Sequence, residues 1–238
     1  MCRRTKNLIV KKRIMTSIAF VLLANTASAS FLTPPSWFPR AAPTSTPAAT
    51  ALRDALVAGE TSSAVLRPLV DECVAARVKF QPKLLGDGAL WRASAIVTGE
   101  TPRWEKQAKL LPFLKNRAGQ QYALSGNGGT VLNYGEVIGR ALYFKAEGTF
   151  QPASVDTSRC PVDFDVAVER GGICVADGRY AFLSDAISGP GFLRVLYIDQ
   201  DVRIFESPTD SPDVWEKSGL VVVQVRDTCF DDPVEGAL

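Results

Sequence analysis

The densest group of charged side chains in this 238-residue chain is the run Asp199-Gln-Asp201-Val-Arg203. Two carboxylates with a cation beside them can act as an acid/base pair, or as a polar latch at the mouth of a β-barrel. A catalytic carboxyl group needs a raised pKa, which no feature of the sequence indicates. Asp is also common in tight turns, where its side chain accepts backbone N–H bonds. We therefore favour a hairpin turn in which Asp199 accepts such bonds and Arg203 neutralises the two acids.

The chain contains no histidine, and its cysteines are not spaced for metal binding or redox chemistry. The absence of histidine excludes Ser-His-Asp and Cys-His catalytic sets, as well as zinc or haem ligated by histidine. No C-x-x-C pair occurs, so a zinc knuckle or a thioredoxin-type site has no support. Beyond Cys2, the cysteines are Cys73, Cys160, Cys174 and Cys229. We favour buried free thiols, and a Cys160–Cys174 bridge across neighbouring strands is the alternative.

These residues predict a protein that is not an enzyme and that has no catalytic residue, metal or cofactor. The alternative is an isoprenoid-modifying enzyme that uses Asp199, Asp201 or Glu136. Glu136 and Arg140 interrupt an apolar strand region. Either they point into a barrel as a paired polar anchor, or a bulge at a neighbouring glycine turns them outward, which we favour.

Aromatic residues recur in the segments with strand character. We predict that six of them line a barrel interior and contact a ligand: Trp91, Tyr122, Tyr134, Phe144, Phe164 and Phe192. Pockets for isoprenoid or acyl chains are lined mostly by apolar and aromatic side chains, with few polar anchors. The alternative is that these side chains simply fill the interior.

The elements that position these residues are predominantly strands. From Gly88 onward apolar residues alternate with polar ones, and short turns such as Asp177-Gly178 separate eight or nine strands. No helical segments lie between the strands, so the sheet is antiparallel. About eight strands can close into a barrel that has no exposed edges, and a β-sandwich is the competing architecture. Before the strands, residues 50–79 have helical spacing, with Gly59 closing a first helix and Thr61 or Ser62 capping a second.

The N-terminal region has the composition of a targeting segment. Residues 1–30 combine basic residues, a short apolar core and an Ala-Ser-Ala exit, which is typical of a signal peptide. Residues 31–50 are rich in Pro, Ser and Thr and resemble a transit peptide, so we place the folded domain at residues 51–238. This arrangement predicts import into a plastid through the secretory route, as in algae with secondary plastids, and secretion is the alternative.

The folded part of the chain is acidic. Eight of the 27 Lys and Arg residues lie in the first 53 positions, which hold no Asp or Glu, so residues 54–238 have 19 basic against 25 acidic residues. Binding to nucleic acid requires clustered positive charge, which this part of the chain lacks. We therefore predict no nucleic-acid partner.

Several of these segments together resemble the plastid lipid-associated proteins, or fibrillins. The resemblance covers roughly residues 52–227 and is carried by the helical opening and Leu90-Trp91 at the first strand. Further along, it includes Tyr197-Ile-Asp199-Gln-Asp201-Val-Arg203-Ile204 and the closing strand Leu220-Val-Val-Val-Gln-Val-Arg226. By this resemblance, Trp91 is the tryptophan at the base of the barrel, and Asp199, Asp201 and Arg203 are the polar signature of the family.

The resemblance implies a lipocalin-like barrel in the plastid, at thylakoid or plastoglobule surfaces. Such a protein binds or sequesters hydrophobic metabolites such as carotenoids, quinones or fatty acids. Its partners are then a water-insoluble small molecule and a membrane or plastoglobule surface. The alternative is a structural subunit with a filled barrel that docks on a photosynthetic complex through the loops containing Trp104 and Trp215.

Overall fold

A computed structural model describes residues 45–98, 116–183, 188–207 and 219–234. The signal-peptide segment, most of the transit-like segment and the loops containing Trp104 and Trp215 lie outside the described residues.

Within the described residues, three helices precede the strands: α1 (Pro47–Val57), α2 (Ser63–Ala75) and the single turn α3 (Pro82–Leu85). The Thr46 side chain caps α1 by accepting a hydrogen bond of 3.2 Å from the Ala49 amide, and Pro47 occupies the first turn, where its missing N–H is not needed. Gly59 adopts a φ of +87° just beyond α1, which is the left-handed conformation that commonly ends a helix. The two predicted helices are therefore confirmed. Helix α1 begins at Pro47, four residues before the predicted domain start at residue 51, and its first turn is already buried.

Nine strands follow in the part of the chain that the structure describes. They are β1 (Asp87–Thr98), β2 (Ala118–Ser125), β3 (Gly128–Ile138), β4 (Leu142–Pro152), β5 (Val162–Val175), β6 (Tyr180–Leu183), β7 (Gly189–Ile198), β8 (Val202–Ser207) and β9 (Leu220–Arg226). All pairs are antiparallel, in the order β4-β3-β2-β1-β9-β8-β7-β5, and β4 also pairs with β5. That last pairing closes an eight-stranded barrel, so the antiparallel barrel prediction is confirmed and the sandwich alternative is wrong. The short β6 lies outside the closed ring, paired with the second half of β5.

The apolar side chains divide into an inner and an outer layer. The inner cluster lies inside the barrel and includes Trp91, Tyr122, Phe150, Phe164 and Phe205. The outer cluster packs the apolar faces of α1 and α2 against the outside of β7, β8, β9 and β1. The strands β1, β7, β8 and β9 thus contribute side chains to both layers, as alternation along a strand allows.

One end of the barrel is closed by the chain itself. At this end, which we call the α3 end, β1 begins at Asp87 and β9 ends at Arg226. Phe80 and Leu85 belong to the inner cluster here, and the Phe80 ring packs on Phe164 with centroids 5.8 Å apart. The opposite end is where β3 finishes and β4 begins, at Ile138 and Leu142.

The four described cysteines are free thiols. Cys160 belongs to the inner cluster, whereas Cys174 lies in a separate cluster with Tyr134 and Tyr143. The alternative of a Cys160–Cys174 bridge is therefore wrong, because the two side chains are on different faces of the barrel wall. Burial raises the pKa of the Cys160 thiol to about 12 and that of Cys73 to about 11.

Candidate functional site

A polar group is buried inside the barrel, surrounded by the inner apolar cluster. Its centre is Arg203 of β8, which is completely buried and faces inward. Arg203 Nη2 donates short hydrogen bonds to the side-chain oxygens of Gln120 on β2 and Gln224 on β9. Gln120 Nε2 in turn donates to Asn133 Oδ1 on β3 at 2.8 Å. One cation and three carboxamides, from four different strands, therefore meet within the barrel.

The oxygen of Gln120 is the point on which the donors converge. Besides Arg203 Nη2, the Tyr122 hydroxyl donates to Gln120 Oε1 at 3.2 Å and Gln224 Nε2 donates to it at 3.4 Å. A guanidinium has no acceptor, so the oxygen and not the nitrogen of Gln120 must face it. The arrangement is a three-donor site for a single oxygen atom.

Aromatic rings surround the Arg203 guanidinium. Its central carbon lies 4.6 Å from the Tyr122 ring centroid, 5.1 Å from that of Phe205 and 5.7 Å from that of Trp91. These are cation–π distances, which partly replace the lost hydration of the charge. Burial lowers the pKa of Arg203 below its ordinary value, and the neighbouring Arg226 lowers it further. The guanidinium nevertheless carries its positive charge, because arginine is not deprotonated in proteins.

The charge of Arg203 has no carboxylate partner among the described residues. Its Nε and Nη1 atoms are buried without any hydrogen-bond partner, and so is Trp91 Nε1. Arg226 provides the contrast at the α3 end, where it lies 4.3 Å from the Trp91 ring and forms a 2.7 Å ion pair with Asp87. Arg203 is therefore a buried cation whose remaining donors are unsatisfied, which is an unfavourable state for a protein interior.

The interior is packed at the α3 end but accessible toward the opposite end. Seven inward-facing residues of β2 to β5 keep partial exposure: Ala118, Gln120, Asn133, Gly135, Phe144, Ala146 and Ile173. A side chain that faces the inside of a closed ring can stay accessible only if it borders a space that solvent reaches. At Gly135 this space is wide enough that an added Cβ would meet no atom within 4 Å.

Four of the six aromatic residues that were predicted to line the interior do face the inside of the barrel, and two do not. Trp91, Tyr122 and Phe164 lie in the packed inner cluster, and Phe144 faces the accessible part, in register with Gly135 and Ile173.

The interior placement of the other two, Tyr134 and Phe192, is wrong. Tyr134 is three residues from the inward-facing Val131, and Phe192 precedes the inward-facing Leu193 by one residue. With a period of two, an odd separation puts a side chain on the opposite face. Tyr134 accordingly packs on the outside, against Tyr143 and Cys174.

The charged motif at residues 199–203 is a turn, as favoured from the sequence. Asp199 Oδ1 accepts hydrogen bonds from the amides of Asp201 (2.9 Å) and Val202 (2.7 Å), and Oδ2 accepts one from the Tyr197 hydroxyl at 2.9 Å. The expectation that Arg203 neutralises the acids is wrong, because its side chain points into the barrel. The cation that pairs with Asp201 is Arg53 of α1, at 2.7 Å.

Glu136 points outward as favoured, but by regular alternation with Tyr134 and not through a bulge, because the register shift lies beyond it, between Glu136 and Ile138. Its partner is not Arg140 but Arg117, whose guanidinium binds the carboxylate at 2.7 Å. The Tyr134 hydroxyl also donates to Glu136 at 2.7 Å. The pair therefore stabilises the outer wall and contributes nothing to the interior.

Sequence analysis missed the carboxamides Gln120, Asn133 and Gln224. The available signal was weak. Gln224 interrupts the apolar run Leu220–Val225, and Gln120 alternates with Tyr122 on one face of its strand. Buried polar residues that satisfy one another rigidify an interior and specify one packing arrangement.

The described parts of the chain contain no cluster of three or more side chains suited to hold a metal ion. Their helices are all too short or too polar to cross a membrane.

Comparison with protein-family models, with curated proteins and with solved structures finds no significant match. The resemblance to the fibrillins therefore stays a prediction based on the segments that carry it.

Proposed function

We propose that this protein is a non-enzymatic carrier that binds one elongated, water-insoluble molecule inside its barrel. The classes of guest are those that the family resemblance implies, namely carotenoids, quinones and fatty acids. The guest enters at the end opposite α3 and lies along the accessible part of the interior.

The observation that carries the proposal is the partial exposure of inward-facing residues in a closed ring. Phe144, Ala146 and Ile173 offer apolar surface there, and Gly135 leaves space beside them. Burial of apolar area contributes about 25 cal/mol per Å², from which the cost of ordering the guest is deducted. The packed half near α3 limits how deep the guest can reach.

We further propose that the open end faces a thylakoid or plastoglobule surface. Three large apolar side chains are exposed toward that end, at Ile138 of β3 and at Phe182 and Leu183 of β6. Large apolar side chains that are exposed at one end of a barrel favour contact with lipid or with another protein. A flotation assay with vesicles of plastid lipid composition tests this, with Phe182→Ser/Leu183→Ser expected to lose binding.

Guest binding is tested directly with β-carotene, decylplastoquinone and palmitic acid, each titrated against the full chain. We expect saturable binding of at least one, and Gly135→Leu should weaken it by about tenfold or more because the new side chain occupies the space of the guest. Ala167→Leu is the matched control, because residue 167 of β5 is exposed on the outer face. Failure of all three compounds to bind would refute the proposal, as would equal binding by Gly135→Leu.

The plastid location is part of the same proposal and rests on the leader alone. A fluorescent protein fused behind residues 1–50 should accumulate in the plastid of an alga with a secondary plastid. Secretion of the fusion would support the alternative.

An enzymatic role gains no support from the carboxylates of Asp199, Asp201 and Glu136. These carboxylates bind backbone amides, arginines and tyrosine hydroxyls on the outside of the barrel.

A further inference from the structure

We infer that the guest is an acid, and that its carboxylate takes the place of the Gln120 side-chain oxygen against Arg203. This inference rests on the proposed function, because it names the chemical class of guest that the interior accepts. The ligand class is a long-chain monocarboxylic acid, with its head group inside and its apolar chain directed toward the open end.

The first argument is the geometry around Gln120 Oε1. Three donors from three strands already converge on this one atom: Arg203 Nη2, the Tyr122 hydroxyl and Gln224 Nε2. A carboxylate oxygen at the same position would receive the same three hydrogen bonds. Each would then be assisted by a full negative charge, which makes such bonds about twice as strong as neutral ones.

The second argument is the charge that Arg203 leaves uncompensated. Four other arginines that are at least partly buried each have a carboxylate at 2.7 Å: Arg53 with Asp201, Arg92 with Asp227, Arg117 with Glu136, and Arg226 with Asp87. Arg203 has two carboxamide oxygens and no acid within ion-pair distance among the described residues. A carboxylate is the group that turns this buried cation into a pair.

The third argument is the kind of atom left without a partner. Arg203 Nε, Arg203 Nη1 and Trp91 Nε1 are all donors, and all three are buried. A water molecule or an alcohol brings a proton of its own that would need an acceptor. A carboxylate brings only acceptors, and its two oxygens match the fork of a guanidinium.

Access to this position requires the movement of one side chain. Gln120 is partly exposed, and its Nε2 is bonded to Asn133, which is also partly exposed and faces the accessible space. If Gln120 turns toward that space, its oxygen leaves the three donors and no strand has to move. The apolar chain of the acid would then lie against Phe144 and Ile173.

The test compares an acid with its neutral analogues. The full chain is titrated with palmitic acid, methyl palmitate and hexadecanol, using calorimetry and displacement of the fluorescent fatty acid cis-parinaric acid. We expect the acid to bind about 10- to 100-fold more tightly than the ester or the alcohol. Arg203→Met should remove this preference and leave binding of the ester unchanged. Arg67→Met is the matched control, because it removes one positive charge from the exposed surface of α2.

The possible outcomes separate this inference from the proposed function. Equal binding of acid, ester and alcohol by the wild-type protein would overturn the inference and leave the carrier function intact. Binding of none of them, together with none of the carotenoid or quinone, would overturn both. If Arg203→Met does not fold, the affinities of the wild-type protein for acid, ester and alcohol still decide whether the inference holds. Gln120→Ala should tighten binding of the acid, because the competing side-chain oxygen is gone. Weaker acid binding by Gln120→Ala would count against the exchange of oxygens.

Discussion

Replacing Glu136 with alanine should destabilise the barrel substantially, although the residue lies outside the interior. Its side chain is 0% exposed, and the carboxylate accepts five hydrogen bonds or ion-pair contacts from only two neighbours. Arg117 contributes its backbone amide at 2.9 Å and its guanidinium at 2.7 to 3.1 Å, and the Tyr134 hydroxyl donates at 2.7 Å. Removing the carboxylate leaves a cation and a hydroxyl without their acceptor.

The size of the effect follows from the burial of the two partners. Loss of one member of a buried ion pair costs about 3 to 5 kcal/mol. The Arg117 side chain is 21% exposed and can recover part of its hydration, so we take the lower value of about 3 kcal/mol. With a urea m-value of about 2 to 3 kcal/mol/M, the midpoint of unfolding should fall by roughly 1 to 1.5 M. Glu136→Gln keeps one oxygen and should lose about half as much.

The assay is urea unfolding followed by circular dichroism, with Glu169→Ala as the matched control. Glu169 is also on a barrel strand but is exposed, so its replacement should change the free energy of unfolding by less than about 0.5 kcal/mol. A double variant, Arg117→Ala/Glu136→Ala, should lose clearly less than the sum of the two single losses, because the two residues stabilise each other. Strict additivity, or a Glu136→Ala midpoint equal to that of the control, would refute the reasoning.

Two further predictions concern protonation. Burial raises the pKa of three tyrosine hydroxyls, those of Tyr122, Tyr134 and Tyr197, so above pH 10 the unfolded chain loses protons that the folded one keeps. Stability should therefore fall as the pH rises, by up to about 4 kcal/mol per pH unit, and these three of the five tyrosines should ionise only together with unfolding. Ionisation of these three hydroxyls in the folded state would contradict this. Peptide mapping after brief alkylation at pH 8 should find the partly exposed Cys229 modified before Cys73 and Cys160, whose thiols are buried with a pKa of about 11 and 12. Equal labelling of Cys160 and Cys229 in the folded protein would show that the closed end of the barrel is open to solvent.

Local patterns in the sequence were sufficient to predict the elements and the class of fold. Alternation of apolar and polar residues locates strands, and the turn at Asp177-Gly178 forms the hairpin expected of it, with a positive φ at Gly178. Asp199 was recognisable as a turn residue because its bonds go to amides two and three residues away. Each of these features depends on neighbours close in the chain, so a single sequence is enough to predict it.

The site was decided by contacts between residues far apart in the chain. Alternation says that two faces exist but not which of them lies inside, and for Tyr134 and Phe192 the pairing of strands decided against the prediction. In β1 an irregularity between Ala93 and Ala95 moves Val97 to the outer face, although Trp91 remains inside. Such shifts depend on register across the sheet, which local propensity does not encode.

The residues of one motif also separated in space. Asp199, Asp201 and Arg203 lie within five consecutive residues of the sequence. Outside the barrel, Asp199 accepts a hydrogen bond from Tyr197 and Asp201 forms an ion pair with Arg53. Inside the barrel, Arg203 donates hydrogen bonds to Gln120 and Gln224. The sequence by itself determined the strands, the turns and the types of side chain available. Closure of β4 onto β5 decided which side chains share the interior, because only a closed ring brings β2, β8 and β9 around one enclosed space.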